Sequence, residues 1–133
     1  MSRVRVLLAD DFPLFLERVS SVLEPAFEVV ERVADGQSLF EAATKLDPDL
    51  IVTDLSMPIL NGLEAIKGLK ESGCTAKIVF LTVNTDPDVV QASMAAGALA
   101  YVAKSQLATD LLPAIREALA GRIFISPSIA GGS

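Results

Sequence analysis

The 133-residue sequence contains no histidine and a single cysteine, Cys74. Without histidine the chain can form neither a Ser-His-Asp triad nor the usual zinc sites. Cys74 cannot form an internal disulfide, and no histidine is present to activate it as a nucleophile. These absences argue against classical hydrolase chemistry and fit a protein of the reducing cytoplasm.

Long apolar runs and a positive net charge are also missing. No stretch approaches the roughly 20 apolar residues that a membrane-spanning helix needs, and no secretory signal pattern is present. The formal net charge is −6, which argues against binding to a nucleic-acid backbone. We therefore expect a cytoplasmic domain that binds neither a membrane nor nucleic acid by itself.

Short apolar segments alternate with helical patterns along the whole chain. Hydrophobic residues make up 51% of the sequence and charged residues 21%, as in an ordinary globular domain. Five predicted strands cover 4–9, 27–34, 50–53, 77–81 and 99–103, and a predicted helix follows each. This alternation predicts an α/β fold with a doubly wound, mostly parallel five-stranded sheet and right-handed crossovers.

Several helix boundaries can be predicted from capping residues and proline. Asp11 is expected to cap a first helix that turns Phe12 inward, and Asp86 precedes a proline that is typical of a first helical turn. Pro113 predicts that the last helix starts near Thr109 or Asp110. The helix that follows Asp86 has few large apolar residues, so we expect it to be held weakly and able to move.

Polar residues that can carry chemistry follow four of the predicted strands. They are Asp10, Asp11, Asp54, Thr82 and Lys104. The carboxyl ends of parallel strands meet at one edge of a sheet, so these residues should converge. Two carboxylates about 4 Å apart repel each other by about 4 kcal/mol at an effective dielectric of 20, and a third carboxylate adds more repulsion. A single lysine cannot offset the repulsion within such a cluster. The cluster therefore predicts an Mg²⁺ site and phosphoryl transfer with Asp54 as the nucleophile.

Each of these residues also has a purely structural interpretation. Asp10 and Asp11 could be helix caps, and Thr82 could be an ordinary strand end. Lys104 could be a solvated surface charge. Tyr101 could be half-buried packing in the fifth strand rather than a ring that moves with Thr82.

The full set of landmarks resembles the receiver domain of bacterial two-component response regulators. The matching residues are Asp10-Asp11, Asp54 with Met57-Pro58 and Gly62, Thr82, and Tyr101-Val102-Ala103-Lys104. The resemblance implies a flavodoxin-like fold with strand order 2-1-3-4-5 and five helices. It also implies that Asp54 accepts a phosphoryl group from the phosphohistidine of a sensor histidine kinase.

The resemblance further implies a role for each site residue. Asp11, Asp54 and the Ser56 carbonyl would ligate Mg²⁺ directly, and Asp10 mainly through water. Lys104 would pair with the phosphoryl group and Thr82 would donate a hydrogen bond to it. Thr82 and Tyr101 would act as the switch that changes the face formed by helix four, strand five and helix five.

The local sequence around the first and third strands and near the end of the chain is similar to that of regulators with a LuxR-type helix-turn-helix output. Residues 1–121 are expected to form the receiver, and 122–133 a tail leading to an output domain that regulates transcription. Phosphorylation is expected to favour a homodimer. Phe12 and Asn84 depart from the family pattern, which bears on kinase pairing and phosphoryl lifetime.

Other functions remain possible from the residues alone. A stand-alone receiver would act only through protein contacts. A phosphatase with an aspartyl nucleophile would carry a second acid where this chain has Ser56, so we expect no enzyme activity beyond self-phosphorylation and self-dephosphorylation. A flavin-binding flavodoxin would need a Ser/Thr/Gly-rich loop after the first strand, where this chain has Asp10-Asp11-Phe12-Pro13.

Overall fold

The structure is a computed structural model that describes residues 3–57, 60–83 and 86–130. Pro58, Asn84 and the end of the tail at 131–133 lie outside the described residues. The strands are β1 (Arg5–Ala9), β2 (Glu28–Val33), β3 (Leu50–Asp54), β4 (Lys77–Thr82), β5 (Ala100–Ala103) and β6 (Phe124–Ile125). The helices are α1 (Pro13–Leu23), α2 (Gly36–Leu46), α3 (Gly62–Glu71), α4 (Pro87–Ala95), α5 (Leu107–Leu119) and the short α6 (Pro127–Ala130), and Lys104–Gln106 form a 3₁₀ turn.

The strands form one parallel sheet with the order β2-β1-β3-β4-β5-β6. This confirms the α/β class, the flavodoxin-like topology and the predicted order 2-1-3-4-5. The sixth strand extends the prediction: the strand-like Ile-Phe-Ile of the tail contributes two residues that pair with β5. None of the described helices combines the length and apolar character that crossing a membrane requires.

Both faces of the sheet are covered, which explains why its central strands are almost continuously apolar. One core cluster packs α1 and α5 against Val6, Val52 and Val102, and the other packs α2 and α3 against Leu7 and Ile51 on the opposite face. β3 is buried along its whole length. The last residue of β3, Asp54, therefore emerges from the middle of the domain at the carboxyl edge.

Three local predictions need correction. The N-cap of α1 is Phe12, which makes no capping bond through its side chain, so Asp11 does not cap this helix. Phe12 is 57% exposed, because the cap position precedes the buried stripe of the helix. Pro113 lies inside α5, which starts two to three residues earlier than predicted, at Leu107. The chain leaves β5 through the 3₁₀ turn, which puts the helix start close to the sheet.

Candidate functional site

The predicted residues meet at the carboxyl edge of the sheet. Asp10 follows β1 directly, Asp54 ends β3, Thr82 ends β4, and Lys104 follows β5. The strand register aligns these ends, because Asp54 pairs with Leu81 and Thr82 pairs with Ala103.

Three carboxylates form the acidic part of the site. One oxygen from each of Asp10, Asp11 and Asp54 lies within 4.8 Å of the others. Asp10 and Asp54 are buried, whereas Asp11 is exposed. The Asp10 carboxylate accepts a hydrogen bond from the Phe12 amide at 2.9 Å, which fixes the turn between β1 and α1. Water screens the two buried carboxylates less than it would screen exposed ones. The cluster therefore carries a strong negative potential.

Lys104 provides the positive charge. Its ammonium lies 2.7 Å from Oδ2 of Asp10 and 3.1 Å from Oδ2 of Asp54. The same ammonium is 4.5 Å from the centre of the Phe15 ring. This cation–π contact favours the charged lysine and limits its rotamers. Sequence reasoning missed Phe15, and its place on the inward stripe of α1, close to the end of β1, was the only indication of this role.

The charges change the acidity of the two central groups. Burial raises the pKa of the Asp54 carboxyl above its ordinary value, and Lys104 opposes this effect without cancelling it. Burial lowers the pKa of the Lys104 ammonium, but its hydrogen bond and ion pairs with Asp10 and Asp54 outweigh burial and leave that pKa raised. Lys104 is therefore held in its charged form, and the Asp54 carboxylate is more basic than that of an exposed aspartate.

The loop after β3 packs closely against Asp54. The Ser56 amide donates to Oδ1 of Asp54 at 3.3 Å, and the Gly62 amide donates to the Leu55 carbonyl at 2.9 Å. A Cβ at Gly62 would lie 2.1 Å from the Asp54 carbonyl oxygen, and one at Gly36 would lie 1.7 Å from that of Leu60. Both glycines are thus required by close approach of backbone segments, and neither has a positive φ.

Thr82 and Tyr101 lie side by side on β4 and β5. Tyr101 is fully buried and Thr82 is 3% exposed. Burial raises the pKa of the Tyr101 hydroxyl, while a hydrogen bond with Thr82 acts in the opposite direction. The Tyr101 ring therefore points inward next to Thr82. It is more deeply buried than a tyrosine that is only half-buried in a strand.

The donor set fits a hard divalent cation. All three acids offer oxygen atoms, and the buried Oδ2 of Asp10 has no hydrogen-bond partner in the described chain apart from the ion pair with Lys104. Mg²⁺ prefers carboxylates, carbonyls and water. Asp10, Asp11 and Asp54 are the described side chains that could hold it. Ser56 lies beside Asp54, and the role of its carbonyl stays a prediction.

A doubly wound parallel sheet that presents an acid cluster, a lysine and a threonine at its carboxyl edge is the arrangement expected of a receiver-type α/β domain. Residues 6–116 match the family model of the response regulator receiver domain. The chain belongs to this family.

Curated relatives support the same assignment. The chain is 35% identical over 126 residues to the nitrate/nitrite response regulator protein NarL of Escherichia coli K12, covering 93% of this chain and 58% of that protein. It is 39% identical over 127 residues to NarP of the same organism, covering 94% and 59%. The chain thus spans somewhat more than half the length of these relatives.

Solved structures show the same fold. A LuxR-family two-component response regulator from Aurantimonas sp. SI85-9A1 has a TM-score of 0.91 and 32% identity, covering 98% of this chain and 94% of that chain. The isolated REC domain of RcsB from Salmonella enterica serovar Typhimurium, in the presence of the phosphomimetic BeF3−, has a TM-score of 0.84 and 28% identity, covering 98% of each chain. Both similarities extend beyond the strands to the helices and the tail.

Proposed function

We propose that this domain is a phosphorylation switch in which Asp54 accepts a phosphoryl group from the phosphohistidine of a sensor histidine kinase. The observation that carries the proposal is the position of Asp54, whose carboxylate lies within the acid cluster and 3.1 Å from the Lys104 ammonium. A nucleophile beside a fixed cation is suited to transferring a negatively charged group.

The proposed transfer needs no other nucleophile. An oxygen of Asp54 forms a bond to phosphorus, the phosphorus–nitrogen bond of the phosphohistidine breaks, and the imidazole leaves and takes a proton from solvent. Lys104 offsets the charge on the phosphoryl oxygens. Mg²⁺ held directly by Asp11, Asp54 and the Ser56 carbonyl, and by Asp10 mainly through water, would supply further charge neutralisation. Attack of water on phosphorus later releases phosphate and restores Asp54.

The switch would operate through Thr82 and Tyr101. A phosphoryl group on Asp54 adds oxygen acceptors close to the end of β4, where the Thr82 hydroxyl can donate to them. The face formed by α4, β5 and α5 would then change. Reversing a 1:99 equilibrium requires about 5.5 kcal/mol of differential stabilisation, so we infer that homodimer formation or partner binding completes a partial shift.

The wider role follows from the relatives. NarL and NarP are named as response regulators, and we infer that this receiver controls a DNA-binding transcriptional output in the cytoplasm. We also propose that it is no enzyme towards other substrates, because Ser56 stands where an aspartyl phosphatase needs a second acid.

The test is intact-mass measurement after incubation with acetyl phosphate, with and without Mg²⁺. We expect a Mg²⁺-dependent gain of one phosphoryl group that Asp54→Asn abolishes. Asp88→Asn, which changes an exposed aspartate, is the matched control and should be modified normally. An unchanged mass with acetyl phosphate and also with a histidine kinase would refute the proposal. Amide exchange of α4 tests the conformational part, which fails if loading Asp54 leaves α4 unchanged.

A further inference from the structure

The segment after α5 returns to the sheet and covers the edge of β5. The Phe124 amide donates to the Leu99 carbonyl at 2.9 Å, and the Ser126 amide donates to the Tyr101 carbonyl at 3.0 Å. Phe124 and Ile125 pair in parallel register with Ala100 and Tyr101. The tail is therefore bonded to the backbone of the switch tyrosine itself.

One hydroxyl joins this tail to two other elements. Ser126 is fully buried, and its Oγ accepts a hydrogen bond from the Ala103 amide at 3.0 Å and donates one to Oδ2 of Asp110 at 2.7 Å. We refer to Ser126, Ala103 and Asp110 together as the clasp. Ala103 directly precedes Lys104, so the clasp fixes the end of β5 where the lysine enters the site.

Apolar contacts reinforce these hydrogen bonds. Ile125 and Ile129 pack against the core cluster that contains Tyr101, on the face of the sheet shared with α2 and α3. A tail that left the sheet would remove both isoleucines from this cluster and would break the bond to the Tyr101 carbonyl. The attached tail and the buried tyrosine therefore stabilise each other.

We propose that β6 and the clasp are a working part of the switch, because they hold Tyr101 in its buried position beside Thr82. The part of this inference that concerns signalling rests on the proposed function. If attachment of the tail favours buried Tyr101, and a phosphoryl group on Asp54 favours it too, then by linkage loading Asp54 must tighten the clasp.

Tyrosine fluorescence tests the first half without phosphorylation. Tyr101 is the single tyrosine and the chain has no tryptophan, so emission reports on this ring alone. We expect Ser126→Ala to increase quenching by acrylamide about twofold, because part of the population loses the buried ring. The matched control Ser21→Ala removes an exposed serine of α1 and should leave quenching unchanged.

A second pair of variants keeps the test decisive if Ser126→Ala folds poorly. Asp110→Ala removes the acceptor of the clasp and should increase quenching in the same direction. Asp110→Asn keeps an acceptor oxygen and should remain close to the unmodified protein. If Ser126→Ala or Asp110→Ala shows a cooperative unfolding transition and unchanged quenching, then the clasp does not hold Tyr101 and the proposal is wrong.

Amide exchange tests the second half. With acetyl phosphate and Mg²⁺, we expect exchange of the Ala103 and Ser126 amides to slow by about tenfold, whereas Ser126→Ala should lose this protection at Ala103. Modified protein, verified by mass, whose two amides exchange as before would refute the coupling and leave the proposed function intact. Failure to gain mass with acetyl phosphate and also with a histidine kinase would instead refute the proposed function, and the quenching result would still decide whether the clasp holds Tyr101.

Discussion

Helices α3 and α4 follow neighbouring strands and start at the same edge of the sheet, yet they are attached very differently. α3 begins with a capping box in which Asn61 and Glu64 bond each other's backbone amides. It buries Gly62, Ala65, Ile66 and Leu69, whereas α4 buries only Val90 and Ser93. The helix after Asp54 is thus fixed, and the helix after Thr82 has few contacts to lose.

This difference separates two requirements of a switch. The proposed nucleophile needs a stable position, and α3 packs closely against the backbone of Asp54. The element proposed to respond needs a low cost of movement, and α4 meets this need because it has little apolar surface in the core. The two requirements are met on adjacent strands.

The largest expected effect concerns the core anchors. Ile66→Ala should lower the free energy of unfolding by about 4 kcal/mol, because Ile66 is fully buried and leaves a cavity. Val90→Ala removes two carbons from α4, where Ile66→Ala removes three from α3, and should cost about 1.5 kcal/mol. Urea unfolding measures both. Equal losses would show that α4 is held as firmly as α3.

The second prediction concerns the contact between α3 and Asp54. Gly62→Ala should destabilise the protein by about 3 kcal/mol, because the new Cβ meets backbone that cannot easily retreat. Gly73→Ala is the control: Gly73 has a φ of 93° and open space around it. Its strain should cost about 1 to 2 kcal/mol. A Gly62 variant less affected than the Gly73 variant would contradict the close packing of α3.

A smaller effect tests the buried charge of Asp54, which ends the strand before α3. The raised pKa of Asp54 means that its ionised form is unfavourable in the folded state relative to the unfolded state. Asp54→Asn should therefore stabilise the protein at pH 7. This advantage should shrink as the pH falls and the native aspartate gains its proton. Unfolding measured across acid to neutral pH would reveal a constant or opposite difference if the burial argument is wrong.

The smallest effect compares the two helix caps. Asn61→Ala and Asp86→Ala each remove a side-chain cap, which costs about 0.5 to 1 kcal/mol in exposed sites. In α3 this loss should appear in the global free energy of unfolding. In α4 it should appear mainly as faster local amide exchange, because α4 can open without the rest of the domain. If Asp86→Ala lowered the global free energy of unfolding as much as Asn61→Ala, α4 would be held as firmly as α3.

Sequence patterns predicted the features that depend on local chemistry. The strand order was implied by the family resemblance, and Asp86 was identified as a cap because an aspartate directly before proline is typical of a helix start. Convergence of Asp10, Asp54, Thr82 and Lys104 followed from their positions at strand ends. Their roles in phosphoryl transfer stay predictions.

The features that sequence patterns did not reveal depend on tertiary contacts. Periodicity cannot separate the exposed Phe12 from the buried Phe15, which lies under the Lys104 ammonium. Pro113 gave a wrong start for α5 because a proline inside a helix is tolerated when the packing of its face holds the helix. The tail contains a strand-like Ile-Phe-Ile, but the pairing of β6 with β5 was not predicted, since its stability comes from the edge of β5 and from Ser126.

The approach of Gly36 to the Leu60 carbonyl has a consequence for protein engineering. Gly36, the first residue of α2, packs directly against the backbone of Leu60 in the loop beyond Asp54, although an entire helix and strand separate the two residues in the sequence. A designer who transplants that loop from another receiver must therefore transplant the start of α2 with it. Chimaeras that exchange only one of the two segments should be the ones that fail to express.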